Sequence, residues 1–121
     1  MLSMYALIGA YKPEGEAWVD ELCEVLSGNV AYACDYIGEH FEGVEVFRPE
    51  GTYMLFVDCT AWCEKHGKTI EDVEKACWDV GVALQDGRMF HGNCHMRINL
   101  ALPHARVQEA FHRLDKYVFN A

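Results

Sequence analysis

Between Glu16 and Phe41 the apolar side chains return every three or four residues: Trp18, Leu22, Val25, Leu26, Ala33, Ile37 and Phe41. That is the period of a helix surface, so the stretch predicts one long amphipathic helix. Glu14, Glu16, Asp20 and Glu21 crowd its start, where the helix dipole favours acids. Ser27-Gly28-Asn29 is a weak point where a kink or short break is expected, and Gly43 is read as the helix end. Met1 to Tyr11 is short and apolar and is followed by the breaker Lys12-Pro13-Glu14-Gly15. Residues 1–12 therefore read as the tail of a helix that begins upstream, which makes the chain a fragment of something longer.

The period then changes from helix to strand. Val44 to Phe47 predicts a short strand, Arg48-Pro49-Glu50-Gly51 a turn, and Thr52 to Asp58 a second strand rich in β-branched and aromatic residues. Tyr53, Leu55 and Val57 lie on one face and Met54 and Phe56 on the other, so this strand is expected to be central and covered on both sides. Cys59 to Lys68 reads as a loop. Thr69, with Asp72 three positions on, has the spacing of a capping box. The helix it opens carries Val73, Ala76, Cys77 and Val80 on one face and closes at Gly81. A strand–loop–strand stretch, Val82 to Ala101, follows, and Pro103 starts a last helix with Val107, Ala110, Phe111, Leu114 and Val118 as its stripe. The order is helix, two strands, helix, two strands, helix. It predicts a single α+β domain over residues 1–121, with a small mixed or antiparallel sheet and helices mainly on one face.

One position in that order stands out. In the run Met96 to Leu100, Met96, Ile98 and Leu100 point one way and Arg97 and Asn99 the other. An arginine in mid-strand needs water, an acid or a ligand for its head. On the pattern alone, a guanidinium snorkelling from a wet face is favoured over a ligand.

Composition narrows the classes. At 121 residues with 51% hydrophobic, the chain can bury one core, and disorder is excluded. The formal charge of −9 argues against nucleic acid or an anionic membrane surface as a partner. No apolar run approaches the ~20 residues of a membrane span, and no leader pattern is visible. The 6 cysteines fall largely on apolar helix faces, so they read as free thiols in a cytoplasmic protein. Cys59, Cys63 and His66, and His91, Cys94 and His95, lie close in sequence but match no established ligand spacing, so no metal is expected. Cys94 and His95 are chain neighbours on a strand and would point to opposite faces, a poor geometry for a catalytic pair. No Gly-x-Gly fingerprint, P-loop or Gly-x-Ser-x-Gly elbow occurs.

The stretch Gly81 to Gly87, then Phe90, then His95-Met96-Arg97-Ile98-Asn99-Leu100-Ala101 and Pro103, together with Pro49-Glu50-Gly51-Thr52-Tyr53, resembles one family. It is similar to the carboxy-terminal part of the fold-type-I class I/II aminotransferases, closest to their cystathionine β-lyase-like (C–S lyase) branch. The resemblance implies the small domain of such an enzyme. It also implies that Arg97, the arginine of the family's R-x-N-x-A motif, binds the substrate α-carboxylate. The chemistry suits the role, because a planar guanidinium grips a carboxylate through paired charge-assisted hydrogen bonds. Asn99 would support that grip from the same strand face.

The same resemblance implies pyridoxal 5'-phosphate in the parent protein, an amino-acid substrate, and a missing large domain that carries the cofactor lysine and the acid facing the cofactor ring. Lys12, Lys65, Lys68, Lys75 and Lys116 fall in turns, loops and exposed helix faces. No catalytic or cofactor-binding residue is therefore expected in this chain, no cofactor is expected for the chain alone, and its cut surface predicts a homodimer. The parent would be a β-lyase, which expels a thiol, or an aminotransferase. The alternative is a stand-alone ligand-binding or protein-interaction module that keeps the small-domain fold without catalysis.

Overall fold

The computed structural model describes residues 1–121. Helix α1 (Leu2–Ala10) leads after a two-residue turn into α2 (Pro13–His40). Strands β1 (Glu45–Val46) and β2 (Met54–Asp58) follow, then helices α3 (Thr60–His66) and α4 (Ile70–Asp79). Strand β3 (Gln85–Asp86) runs into a 3₁₀ turn (Gly87–Phe90), and β4 (His95–Asn99) precedes α5 (His104–Leu114), which ends in a π turn (Asp115–Phe119). The four strands form one antiparallel sheet in the order β1-β2-β4-β3. This is the expected α+β architecture.

The alternation of β2 and β4 decides where the core sits. Leu55, Val57, Met96 and Ile98 point to one face and are buried there with Ala33 and Ile37 of α2, Val73 and Cys77 of α4, and Val107, Phe111 and Leu114 of α5. β2 is central, as expected, but it is not covered on both sides, because Phe56 remains 40% exposed and Met54 is half-buried. The helices thus occupy one face and leave the other open, and Arg97 stands on the open one.

Several local expectations need correction. α2 runs without interruption through Ser27-Gly28-Asn29, because a tertiary contact outweighs the weak helix preference there. Asn29 is fully buried, and its amide NH₂ donates to the Leu100 carbonyl (2.9 Å) and the Leu102 carbonyl (2.8 Å). α2 starts at Pro13, a first-turn position that suits proline, and Gly15 lies inside it. A Cβ at Gly15 would run into the Ala10 carbonyl, so the glycine permits the close α1–α2 approach. The helix ends at His40, and Gly43 instead takes a left-handed φ of +84° in the turn beyond. Only the second half of the α2 stripe is buried. Trp18 and Val25 are exposed, and α1 buries no residue at all.

Most of the stretch from Cys59 to Lys68 is helix α3 (Thr60–His66) and not a loop. The Asp58 carboxylate accepts the Thr60 N–H (2.9 Å) and hydroxyl (2.6 Å) at its start, and Gly67 ends it with a left-handed φ of +63°. Burial of Trp62 and Cys63 holds this short helix against the core. The capping box on α4 is present in both directions between Thr69 and Asp72.

Asn29 ties α2 to the segment that joins β4 to α5. Replacing it with alanine strands the buried Leu100 carbonyl, removes the partner of the part-buried Leu102 carbonyl and leaves His104 unpaired, and a stranded buried group costs about 1–3 kcal/mol. Asn29→Ala is therefore expected to lower unfolding stability by roughly 2–4 kcal/mol. Urea unfolding followed by circular dichroism measures this, and a midpoint equal to that of the unsubstituted chain would contradict it.

Candidate functional site

The open face of the sheet is built from residues of one parity. Across β2 and β4 the pairs are Met54 with Asn99, Phe56 with Arg97, and Asp58 with His95. On the far side of β4, Gln85 of β3 pairs with Arg97. Arg97 therefore occupies the middle of a cross-strand row, between Phe56 and Gln85.

Arg97 is half-buried, and its guanidinium, exposed to solvent, is held on two sides. Its Nη1 donates to Gln85 Oε1 at 3.0 Å, and its central carbon lies 4.6 Å from the centre of the Phe90 ring. No carboxylate pairs with it. Arg48, Arg88 and Arg113, by contrast, pair with Asp35, with Asp86 and Glu71, and with Glu109, while Arg106 on α5, like Arg97, has no acidic partner but lacks the strand position and the flanking contacts. A guanidinium with an edge free and its charge uncompensated is what a carboxylate ligand requires.

The loop beside it is shaped by its glycines. A Cβ on Gly87 would come within 2.6 Å of the Phe56 ring and 2.9 Å of His95 Cβ, and one on Gly92 would strike the same two side chains. Phe56 and His95 stack at 4.6 Å beneath the loop. Asp86 accepts the Arg88 N–H at 2.8 Å and pairs with the Arg88 guanidinium, and His91 turns the chain with φ +63°. The loop is thereby pressed onto β4, and Phe90 is carried over Arg97.

Asn99 stands on the same face as Arg97, as expected. Its side-chain oxygen accepts the Ala101 N–H at 2.8 Å and so serves the turn that ends the strand. His95 Nε2 lies 3.9 Å from Asp58 Oδ2, while Nδ1 is buried without a partner. Phe56, Gln85 and Phe90 carried no assigned role in the sequence, because only the strand register brings them to Arg97.

The thiols lie apart from this site. Cys59, Cys63 and Cys77 are buried in the core, and all six cysteines are unpaired. Burial pushes the Cys63 and Cys77 thiols up to about 12, and Cys94 beside Cys63 adds to the shift there. Thiols so shifted are poor nucleophiles. No three His, Cys, Asp or Glu side chains come together as a metal-binding group. No helix is long and apolar enough to cross a membrane.

An arginine at a sheet face and a stretch resembling pyridoxal-phosphate enzymes raise the question of that cofactor. A Schiff-base lysine needs a dry pocket that lowers its pKa. Lys12, Lys65, Lys68, Lys75 and Lys116 are all exposed, and Lys65 is ion-paired with Glu42 at 2.8 Å. The lysines of this chain do not fit that group.

No family model matches the chain. A Mycobacterium leprae protein named as a cystathionine β-lyase is 31% identical over 117 residues, a match that takes in 88% of this chain and 29% of that protein. A pyridoxal-phosphate-bound protein of Clostridium difficile 630, described as an aminotransferase, superposes with a TM-score of 0.76 at 36% identity, over 85% of this chain and 26% of that one. The chain is a relative of the pyridoxal-phosphate-dependent C–S lyases and aminotransferases. It matches only their carboxy-terminal part and spans less than a third of the length of these relatives. The pyridoxal-phosphate-bound C–S lyase of Staphylococcus hominis, at 22% identity and a TM-score of 0.79 over 92% of this chain and 29% of that one, shares the fold. The small-domain architecture is thus that of the fold-type-I enzymes.

The carboxylates around the site are held ionised. Partial burial pushes Asp58 and Asp86 up, but hydrogen bonds from Thr60 and from Arg88 outweigh it and hold both below the usual range. The Thr69 N–H does the same for Asp72. A carboxyl depressed in the folded state adds stability that is present above its unfolded value and is lost as pH falls through its folded value. The unfolding midpoint is therefore expected to hold steady above about pH 5 and to fall as pH drops below about 4. A urea series across that range checks it, and a midpoint level down to about pH 3 would contradict it.

Proposed function

We propose that this chain is the carboxy-terminal, substrate-binding domain of a pyridoxal-phosphate-dependent C–S β-lyase or aminotransferase acting on amino acids, and that Arg97 binds the α-carboxylate. One observation carries the proposal. Arg97 is the arginine of the R-x-N-x-A motif, and it lies on the open face of the sheet with no acid to neutralise it. Asn99, with its amide nitrogen free to donate, supports the carboxylate from the same face. The groups that would hold the cofactor belong to the part of the parent protein outside this chain. What this chain does is bind and orient: two parallel N–H donors fix the plane of the carboxylate, and so the direction in which the substrate Cα bonds point.

Lysine carries the charge but not the fork. In the parent enzyme, Arg97→Lys is expected to lower kcat/KM for amino-acid substrates by roughly 1.5–3 kcal/mol, or about ten- to a hundredfold. Unchanged kinetics would remove the assignment.

The surface of α1 and the first half of α2 supports the same reading. Leu2, Met4, Tyr5, Leu7, Ile8 and Trp18 are all exposed. We read this apolar face as one that the large domain covers in the parent. Without that domain, exposed apolar area of this kind associates, so the isolated chain is expected to form a homodimer. Light scattering that found only monomer at high concentration would count against it.

A further inference from the structure

We propose that Gln85 and Phe90 are positioning residues that hold the Arg97 guanidinium ready for a carboxylate without neutralising it. The inference rests on the reading of Arg97 as a carboxylate binder and assigns the means by which the fold supports it.

An arginine side chain has four freely turning bonds, and its head is dispersed in water unless something holds it. Here two contacts of different kinds do so. Gln85 sits directly across the strand pair and accepts one hydrogen bond from Nη1 at 3.0 Å. Phe90 places its ring beneath the guanidinium, whose carbon lies 4.6 Å from the ring centre. One edge and one face are thus occupied, and the remaining N–H groups are left to a ligand.

The chemistry at position 85 matters more than its shape. The amide oxygen of glutamine accepts a hydrogen bond but carries no charge. A glutamate there would reach the same Nη1, form an internal ion pair and compete with the incoming carboxylate. Phe90 is also neutral, and the loop that bears it is packed closely against β4. Gly87 and Gly92 leave no room for a Cβ against Phe56 and His95, so the loop lies directly on β4. The two glycines that bound this loop in the sequence are therefore what places the aromatic cap.

The test uses the full chain, ¹⁵N-labelled, and follows the side-chain Nε–H signal of Arg97, identified by its loss in Arg97→Lys. The probe is L-alanine, whose carboxylate stays ionised across the pH range used. The unsubstituted chain is expected to bind it through Arg97 with an affinity level between about pH 5 and 7. Gln85→Glu is expected to weaken binding about tenfold at pH 7 and to recover affinity as acidification toward about pH 4 begins to protonate the new carboxyl. Phe90→Leu is expected to weaken binding about threefold, and Phe90→Tyr, which keeps the ring face, to restore it. Phe90 is 42% exposed, so neither change disturbs the core. A purely structural role would produce neither the new pH dependence nor the aromatic rescue. Binding through Arg97 that is intact yet indifferent to Gln85→Glu and Phe90→Leu would overturn this inference alone. No Arg97-dependent binding in the unsubstituted chain would overturn the carboxylate reading and the inference with it.

Discussion

The buried amide of Asn29 fixes how the helical layer meets the sheet. Its two N–H donors reach the carbonyls of Leu100 and Leu102, and its oxygen faces His104 Nδ1 at 2.9 Å. Backbone carbonyls only accept, so the NH₂ end must face them and the oxygen must face the imidazole. His104 therefore carries its proton on Nδ1, with its ring edge-on to Tyr32 at 5.2 Å. Three groups that would each be costly to bury alone satisfy one another. The contact joins residues more than seventy positions apart and lies just beyond the strand that carries Arg97. α2, the end of β4 and the start of α5 are locked as one unit. The core residues of α5 then pack where they do because the entry to that helix is already set.

From that lock the two faces of the sheet take opposite characters. On the inner face Met96 and Ile98 meet Leu55, Val57 and the helices, and Asn29 is the one buried polar residue among them. On the outer face the same strands present Arg97, Asn99 and His95 beside Phe56 and Asp58. A period of two makes this division unavoidable once one face is buried. The arginine is not left loose on that face. It is flanked by an uncharged hydrogen-bond acceptor and an aromatic ring, while the chain's abundant acids are kept off it. In a protein of formal charge −9, the proposed carboxylate role rests on this guanidinium having no acidic partner while it is held by neutral groups.

How much of this could be read in the sequence depended on the range of the forces involved. The capping box at Thr69 and Asp72 spans three residues and was legible as written. So was the alternation that sets Arg97 opposite Met96 and Ile98, because strand parity is local. Helix α3 was missed because its start signal, the Asp58 carboxylate on Thr60, sits at the end of a strand, and its burial depends on distant residues. Asn29 looked like a helix breaker because its local preference is for turns. The fold overrides that preference with hydrogen bonds that no window of sequence contains. The Gln85 and Phe90 contacts with Arg97 became visible only with register. A shift of one residue between β3 and β4 would send Gln85 to the other face.

The two halves of a site such as this differ in what they demand of a fold. Lowering the pKa of a lysine for Schiff-base chemistry requires a pocket that excludes water on nearly all sides, which only a larger body provides. Orienting a carboxylate requires much less: a guanidinium on a rigid strand, one neutral hydrogen-bond acceptor and one ring face. On the open side of this four-stranded sheet, β4 carries Arg97, β3 supplies the amide oxygen of Gln85, and the turn between them supplies the ring of Phe90. Every element that places and holds the Arg97 guanidinium is therefore present within a chain that spans less than a third of its relatives.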